Sequence, residues 1–400
     1  MKKTILILLT LSLTLSLFSC TTPPETAPTS EVSATLETVE EYVPLPVPDF
    51  IDSVFYPRYC IFEDYYITFD GAVAYRKLDS EKMDLIRISD STIFGDDYAS
   101  DASINGRVRY DLMLVDIEET NKNNGVPVLL IACSKLYTAS SGQHYFESGG
   151  IKCINLDTCE VREVQTDIPS QITDMCLYKD TIFYITQDGF VHQVNRDGAA
   201  HKSVDLSNSY GSIFSIQDDK VYISHRVNSS YDNNQEVLMC DLNFSEFVKM
   251  PGEVSNLQYV CGEYIYYCKY IDKDLNFYRR KLSEFENTDY TEELIAENVA
   301  FPFVSQDKFF YYLSEEKENE TDERNSLFHA YDMADSEDLG IVYVNEEKDT
   351  KKRVTAAYSE YLYGIYTLKH PISGIYNENI ILEYVIINLE TGKEKIFIPS

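Results

Sequence analysis

Six histidines, at positions 144, 192, 201, 225, 329 and 370, are the first candidates for proton or metal chemistry. None stands at zinc-ligand spacing from a cysteine or another histidine, so surface or core roles are expected for them. No G-x-S-x-G occurs, which removes the elbow that exposes a serine nucleophile. Residues 272–276, DKDLN, open like a calcium loop but lack its central glycine and terminal glutamate. Acids are abundant, 66 in 400 residues. Two of them brought together from distant parts of the chain could cleave a glycosidic bond, although linear spacing does not single out the pair. The residue types therefore point to no catalytic set, no metal and no cofactor.

The elements that must position any site are easier to read. EDYYITFD, KDTIFYIT, DDKVYISH, GEYIYYCK, QDKFFYYL and SEYLYGIY each place an acid and one spacer before an apolar, aromatic run. The acids are Asp64, Asp180, Asp219, Glu263, Asp307 and Glu360, so the intervals run from 39 to 53 residues after a first one of 116. A half-exposed strand would alternate polar and apolar residues, whereas these runs are continuous, as in a strand covered on both faces. Each run is followed by a second signature, a short strand entering a hairpin, as in IKCINLDTCEVREV (151–164) and VIINLETGKEKIFI (385–398). Seven such hairpins are anchored on Leu78, Leu156, Arg196, Leu242, Leu282, Met333 and Leu389. The long stretch before Leu156 holds one unit, whose second strand, VPVLLIAC, lacks the acid.

Four short strands per unit, a period of about 40–50 residues and no convincing helical periodicity predict an all-β chain, a β-propeller of seven four-stranded antiparallel blades, with six or eight as the alternative counts. Residues 50–400 form this domain. TIFYIT followed by VHQVNRDG, with their cousins along the chain, resembles bacterial propeller lipoproteins of the domain-of-unknown-function 5050 type, relatives of TolB-like propellers. That resemblance implies a fold and no catalytic residue. The Asp-box of sialidase propellers needs a tryptophan, and the chain has none.

The N-terminus reads as an export signal. Lys2 and Lys3 precede the apolar residues 4–18, too short for a membrane span. Leu17-Phe18-Ser19-Cys20 resembles a bacterial lipobox, so residues 1–19 are expected to be a lipoprotein signal peptide and Cys20 the lipidated N-terminus. Residues 20–49 carry six acids, six prolines and no Lys or Arg, a composition for a disordered tether rather than a core. The expected location is extracytoplasmic, lipid-anchored to a bacterial cell membrane. A net charge of −32 excludes a phosphate backbone as partner. A monomer is expected, binding a protein, peptide or glycan.

In a four-stranded meander the turns between second and third strands share one end with the connections between units. Here those turns vary most, and four are predicted long: about 135–148, 225–236, 314–326 and 367–378. They nominate Tyr137, His144, Tyr145, Tyr231, Asn233, His370 and Tyr376 as binding residues, because variable loops on a rigid scaffold are where recognition usually lies. The expectation is a non-catalytic binding or scaffold module, with a carbohydrate-active hydrolase or lyase as the alternative. Of nine cysteines, Cys133, Cys176, Cys240 and Cys268 lie in apolar runs. Cys153 with Cys159, or Cys261 with Cys268, could form a disulfide, although mostly free thiols are expected.

Overall fold

The apolar runs become second strands, and the acids at Asp180, Asp219, Glu263 and Asp307 end the turns that lead in. Strands begin at Tyr65, Thr181, Lys220, Tyr264, Lys308 and Tyr361, each one residue after its acid. Lys179 and Asp219 have φ of 52° and 58°, left-handed values that Asp tolerates better than most residues. The structure is a computed structural model that describes strands, helices and short turns between residues 51 and 397. Residues 1–50 and 398–400, and connections that include 53–58, 139–143, 207–210, 226–234, 314–326, 345–349 and 369–379, lie outside the described residues. The chain divides into two compact units, Met1–Val43 and Pro44–Ser400, and every strand belongs to the second.

The described strands form successive antiparallel meanders. The first sheet is Tyr59–Phe62, Tyr65–Thr68, Val73–Lys77 and Ile86–Ile88. The second is Ile104–Val115, Val128–Thr138, His144–Asn155 and Val161–Gln165. The third is Ile172–Tyr178, Thr181–Thr186, Phe190–Asn195 and Lys202–Asp205. The fourth is Gly211–Gln217, Lys220–His225, Glu236–Asp241 and Val248–Lys249. The fifth is Gln258–Cys261, Tyr264–Ile271, Asp274–Lys281 and Glu293–Ala296. The sixth is Val299–Ser305, Lys308–Leu313, Leu327–Asp332 and Glu337–Val344. The last is Thr350–Tyr358, Tyr361–Leu368, Ile380–Asn388 and Glu394–Phe397. A fifth strand, Ile51–Asp52, is added to the fourth sheet beside Gly211–Gln217.

Burial explains the continuous apolar runs. Ile182 and Tyr184 pack with the second sheet, while Phe183 and Ile185 pack with the fourth. In the second sheet, Leu129 and Ile131 face the first sheet and Leu130 and Ala132 the third. The same split recurs at Ile265 and Tyr266, and at Phe309 and Phe310. Each hydrophobic cluster thus lies between two successive sheets, and burying one such side chain contributes about 1.5–3 kcal/mol. First strands touch from the second sheet through the fifth and between the sixth and the last, and the first strand of the first sheet meets that of the last.

The two sequence signatures are opposite ends of one closure. Each hairpin anchor directly follows a third strand, and in four sheets its N–H reaches back to the residue that precedes the second strand. Arg196 donates to the Asp180 carbonyl at 2.9 Å, Leu282 to Glu263 at 2.8 Å and Met333 to Asp307 at 2.8 Å. In the second sheet Leu156 donates to Pro127, which stands where the acid would be. The last residue of the third strand then caps the turn: Asn155 Oδ1 accepts from Asp157 and Thr158, and Asp332 Oδ1 from Ala334 and Asp335. Such Asx turns explain the NLD, CDL and YDM sequences at these hairpins.

Two short helices interrupt the all-β order. Asp90–Phe94 and Ile117–Lys122 are short helices. The second replaces the tight turn of the second sheet, which is why VPVLLIAC lacks the acid. Asp116 caps it by accepting from the Glu119 N–H at 3.1 Å, and Glu118, Glu119 and Lys122 match its dipole.

Candidate binding end

Chain direction places the second-to-third turns and the connections between sheets at one end, here called the loop end. The tight hairpins and the inserted helix lie at the other, the turn end. At the loop end the second sheet stands out. Its first three strands span 12, 11 and 12 residues, against six or seven for those of the third sheet. The predicted loop 135–148 is therefore mostly strand, and only residues 139–143 separate Thr138 from His144. Pairing continues past a bulge at Cys133–Ser134, where Gly149 is the extra residue and its neighbour Gly150 takes φ 86°. Of the nominated residues, Tyr137, Tyr145 and His144 come together: Tyr137 pairs with Tyr145 and Thr138 with His144. Tyr231, Asn233, His370 and Tyr376 lie outside the described residues, as does Cys20.

Apolar side chains are also exposed at this end. Tyr270 and Ile271 close the second strand of the fifth sheet, and Phe301, 51% exposed, lies in the first strand of the sixth. Phe301 has φ 49°, a left-handed backbone that is costly for an aromatic residue, and it sits in a bulge between Ala300 and Phe303. Bulges recur in first strands, between Tyr110 and Leu112, Ile172 and Asp174, Ile213 and Ser215, and Val354 and Ala356. They re-aim side chains where the sheets converge.

Those bulges place polar groups that the sequence did not single out. Asp111 accepts from Ser134 Oγ and, at 2.9 Å, from Gln171 Nε2. Asp174, 6% exposed, accepts from its own strand at Met175 and from Ser212 and the Ile213 N–H of the next sheet. Burial pushes its carboxyl up to about 6 against those three donors, and Oδ2 has no hydrogen-bond partner. His225 Nε2 lies 3.5 Å from Glu236 Oε2, which also holds Lys249 at the other oxygen. Burial lowers the His225 pKa, with Glu236 opposing. No sequence signal marked Asp111 or Asp174, because the partners of Asp111 and those of Asp174 outside its own strand come from segments at least 23 residues away in the chain.

Other predicted features resolve into architecture. DKDLN is a two-residue hairpin: Ile271 pairs with Asp274, and Asp272 and Lys273 take φ of 50° and 87°, as a type I′ turn requires. Among the described residues, no group of three His, Cys, Asp or Glu could hold a metal ion. His192 stacks on Tyr184 at 4.6 Å and shares hydrogen bonds with Thr186 at 3.0 Å and His201 at 3.1 Å. Burial, then the neighbouring His201, lowers the His192 pKa to about 4. The cysteines at 133, 153, 159, 176, 240, 261 and 268 are free thiols. Cys153 pairs in register with Arg162 and Cys261 with Tyr264, so neither conceivable bridge is set opposite its partner.

No family model and no curated protein matches the chain. Among solved structures, a post-proline cleaving enzyme from Rickettsia typhi matches with TM-score 0.55 and 13% identity, over 85% of this chain and 52% of that one. Oligopeptidase B from Leishmania major gives TM-score 0.47 and 8% identity, over 85% and 48% of the two chains. A quinonprotein alcohol dehydrogenase-like protein from Bacteroides thetaiotaomicron gives 0.42 and 12%, over 80% and 70%. The chain spans about half the length of the first two. At such identity the first of these likenesses is one of fold, and with the successive four-stranded sheets it makes this chain a β-propeller.

Proposed function

We propose that the protein is an extracytoplasmic lipoprotein, held to a bacterial membrane through Cys20, whose propeller of seven blades binds a protein, peptide or glycan at its loop end without catalysing a reaction. The resemblance to propeller lipoproteins of the domain-of-unknown-function 5050 type belongs to the same reading and rests on the hairpin motifs. The observation that carries the choice of end is the coincidence there of the projecting second-sheet hairpin with exposed Tyr270, Ile271 and Phe301. Aromatic side chains on a rigid frame contribute contact area at small entropic cost.

The test has two arms. Membrane fractionation of the full chain against Cys20→Ser should move the variant from membrane to soluble fraction, and an unchanged distribution counts against the anchor. Purified Cys20→Ser protein, screened on glycan and peptide arrays, should bind a defined member. Replacing residues 134–148 by a tight turn, or Phe301→Gly, should weaken that binding at least tenfold, about 1.4 kcal/mol. Undiminished binding sinks the choice of end.

One observation favours a second reading, a hydrolase or lyase using acids near the channel. Asp174 combines burial, an unpartnered oxygen and a carboxyl raised to about 6, features that recur at catalytic acids. Its bonds to Ser212 and Ile213 also account for it as a clamp between sheets. The peptidases among the structural neighbours favour neither reading. Turnover of a polysaccharide that is lost in Asp174→Asn would establish the second.

A further inference from the structure

Three donor atoms converge on one face of the third sheet. Tyr184 stands directly opposite His192 across the second and third strands, and His192 opposes Ser203 on the fourth. His201 lies two residues before Ser203, which makes it the diagonal neighbour of His192, within reach of a long side chain. His192 Nδ1 and His201 Nε2 are 3.1 Å apart, and Tyr184 Oη is 3.3 Å from the same His201 nitrogen. In sequence the two histidines are merely nine positions apart. The hairpin closed by the Asn195 N–H on the Ala199 carbonyl brings them together.

The protons around His192 follow from its partners. Thr186 Oγ1 donates its one proton to the Phe190 carbonyl at 3.3 Å, so at 3.0 Å it accepts from His192 Nε2. His192 therefore carries its proton on Nε2 and turns the Nδ1 lone pair toward His201. A partner that fixes the tautomer in this way is what orients metal-ligating imidazoles. The ring is also held in place: it is 4% exposed and stacks on Tyr184 with planes 6° apart. His201 is exposed, so solvent reaches it.

With its proton on Nε2, neutral His201 donates to the His192 lone pair. With its proton on Nδ1 it offers a second lone pair at the same place, and no proton is gained or lost overall. Two imidazole nitrogens bound to one tetrahedral ion lie about 3.3–3.4 Å apart, so the gap has only to widen slightly. Imidazole suits zinc, copper and nickel, whereas calcium and magnesium take oxygen ligands. Asp188, in the turn between the same two strands, adds a field that favours positive charge at His192.

We propose that His192 and His201 form an open site for a divalent cation of the zinc and copper class, with the Tyr184 hydroxyl as the nearest third donor. Among the described residues no third His, Cys, Asp or Glu completes the set, so solvent fills the remaining positions. Two protein ligands make the site exchangeable, unlike a structural zinc centre with four. The site is independent of the lipid anchor and of what the loop end binds.

The full chain, stripped of metal with a chelator that is then dialysed away, is titrated with zinc chloride in excess magnesium and separately with copper(II). The parent protein should bind zinc, and His201→Ala should bind it at least tenfold more weakly. Because His201 is exposed, urea unfolding of the metal-free variant should match the parent, which separates lost ligation from lost fold. Copper EPR should show hyperfine coupling to two imidazole nitrogens in the parent and to one at most in His201→Ala. His329→Ala, on the sixth sheet, should change neither readout. No zinc binding by the parent, affinity and nitrogen coupling unchanged in His201→Ala, or an equal loss in His329→Ala overturns the proposal.

Discussion

The Nε of Arg196, the hairpin anchor of the third sheet, lies 3.1 Å from Oδ2 of Asp116, the buried cap of the helix inserted into the second sheet. The same guanidinium reaches Glu118 at 3.0 Å and donates to the Lys179 carbonyl at 2.8 Å. One arginine therefore ties two sheets together at the turn end. Burial raises the Asp116 pKa, while the Glu119 N–H and Arg196 lower it.

Removing the cation should leave a buried carboxylate uncompensated. Arg196→Ala is expected to destabilise by about 3–5 kcal/mol near neutral pH. Adding Asp116→Asn, which keeps a capping side chain, should recover part of that loss. A double-mutant cycle in urea checks this, and additive losses would show that the pair is not coupled.

Asp174 and His192 give opposite pH dependences. The folded state holds a proton on Asp174 that the unfolded carboxyl releases, so its contribution falls as pH rises from about 4 to about 6. The folded His192 refuses a proton that the unfolded ring accepts, so its contribution falls as pH drops from about 6.5 to about 4. Each amounts to about 3 kcal/mol across its window. Relative to the parent protein, Asp174→Asn should make stability rise more steeply with pH between 4 and 6. His192→Gln should do the reverse. Denaturation midpoints at pH 4.5, 5.5 and 6.5 read the two slopes.

Tyr184 is wholly buried between sheets. Tyr184→Ala should cost about 3–5 kcal/mol in stability, as for large aromatic truncations in cores. At temperatures where the variant remains folded, ligand affinity should be unchanged. Lost affinity with unchanged stability would make the tyrosine a contact residue.

The buried thiols should be inert. Burial pushes Cys133 and Cys240 up to about 12 and raises Cys153, Cys176 and Cys268. The thiolate is the reactive form, so these five should alkylate only after unfolding. Cys159, partly exposed in its turn, should react first. Iodoacetamide labelling with peptide mapping in native buffer and in denaturant checks the order.

Local order along the chain is enough to reveal the repeated unit. An acid at Asp180, an apolar run at Ile182–Ile185 and an anchor at Arg196 lie within one hairpin and its return, and their chemistry is dictated by residues a few places away. Continuous burial of that run announces a strand with a neighbour on each face, which is why the four-stranded antiparallel sheets are legible in the sequence. The helix at Ile117–Lys122 was within reach too, from Asp116 and Glu119 three residues apart. Tertiary structure alone decided the rest. The bulge at Asp174 aims a carboxylate at Ser212 and Ile213, and Ile51–Asp52 finds its edge at Ser215 and Ile216, more than 160 residues along the chain. Such pairings depend on how successive sheets close around a common axis. That closure is set by packing between faces and leaves no periodic trace in the sequence.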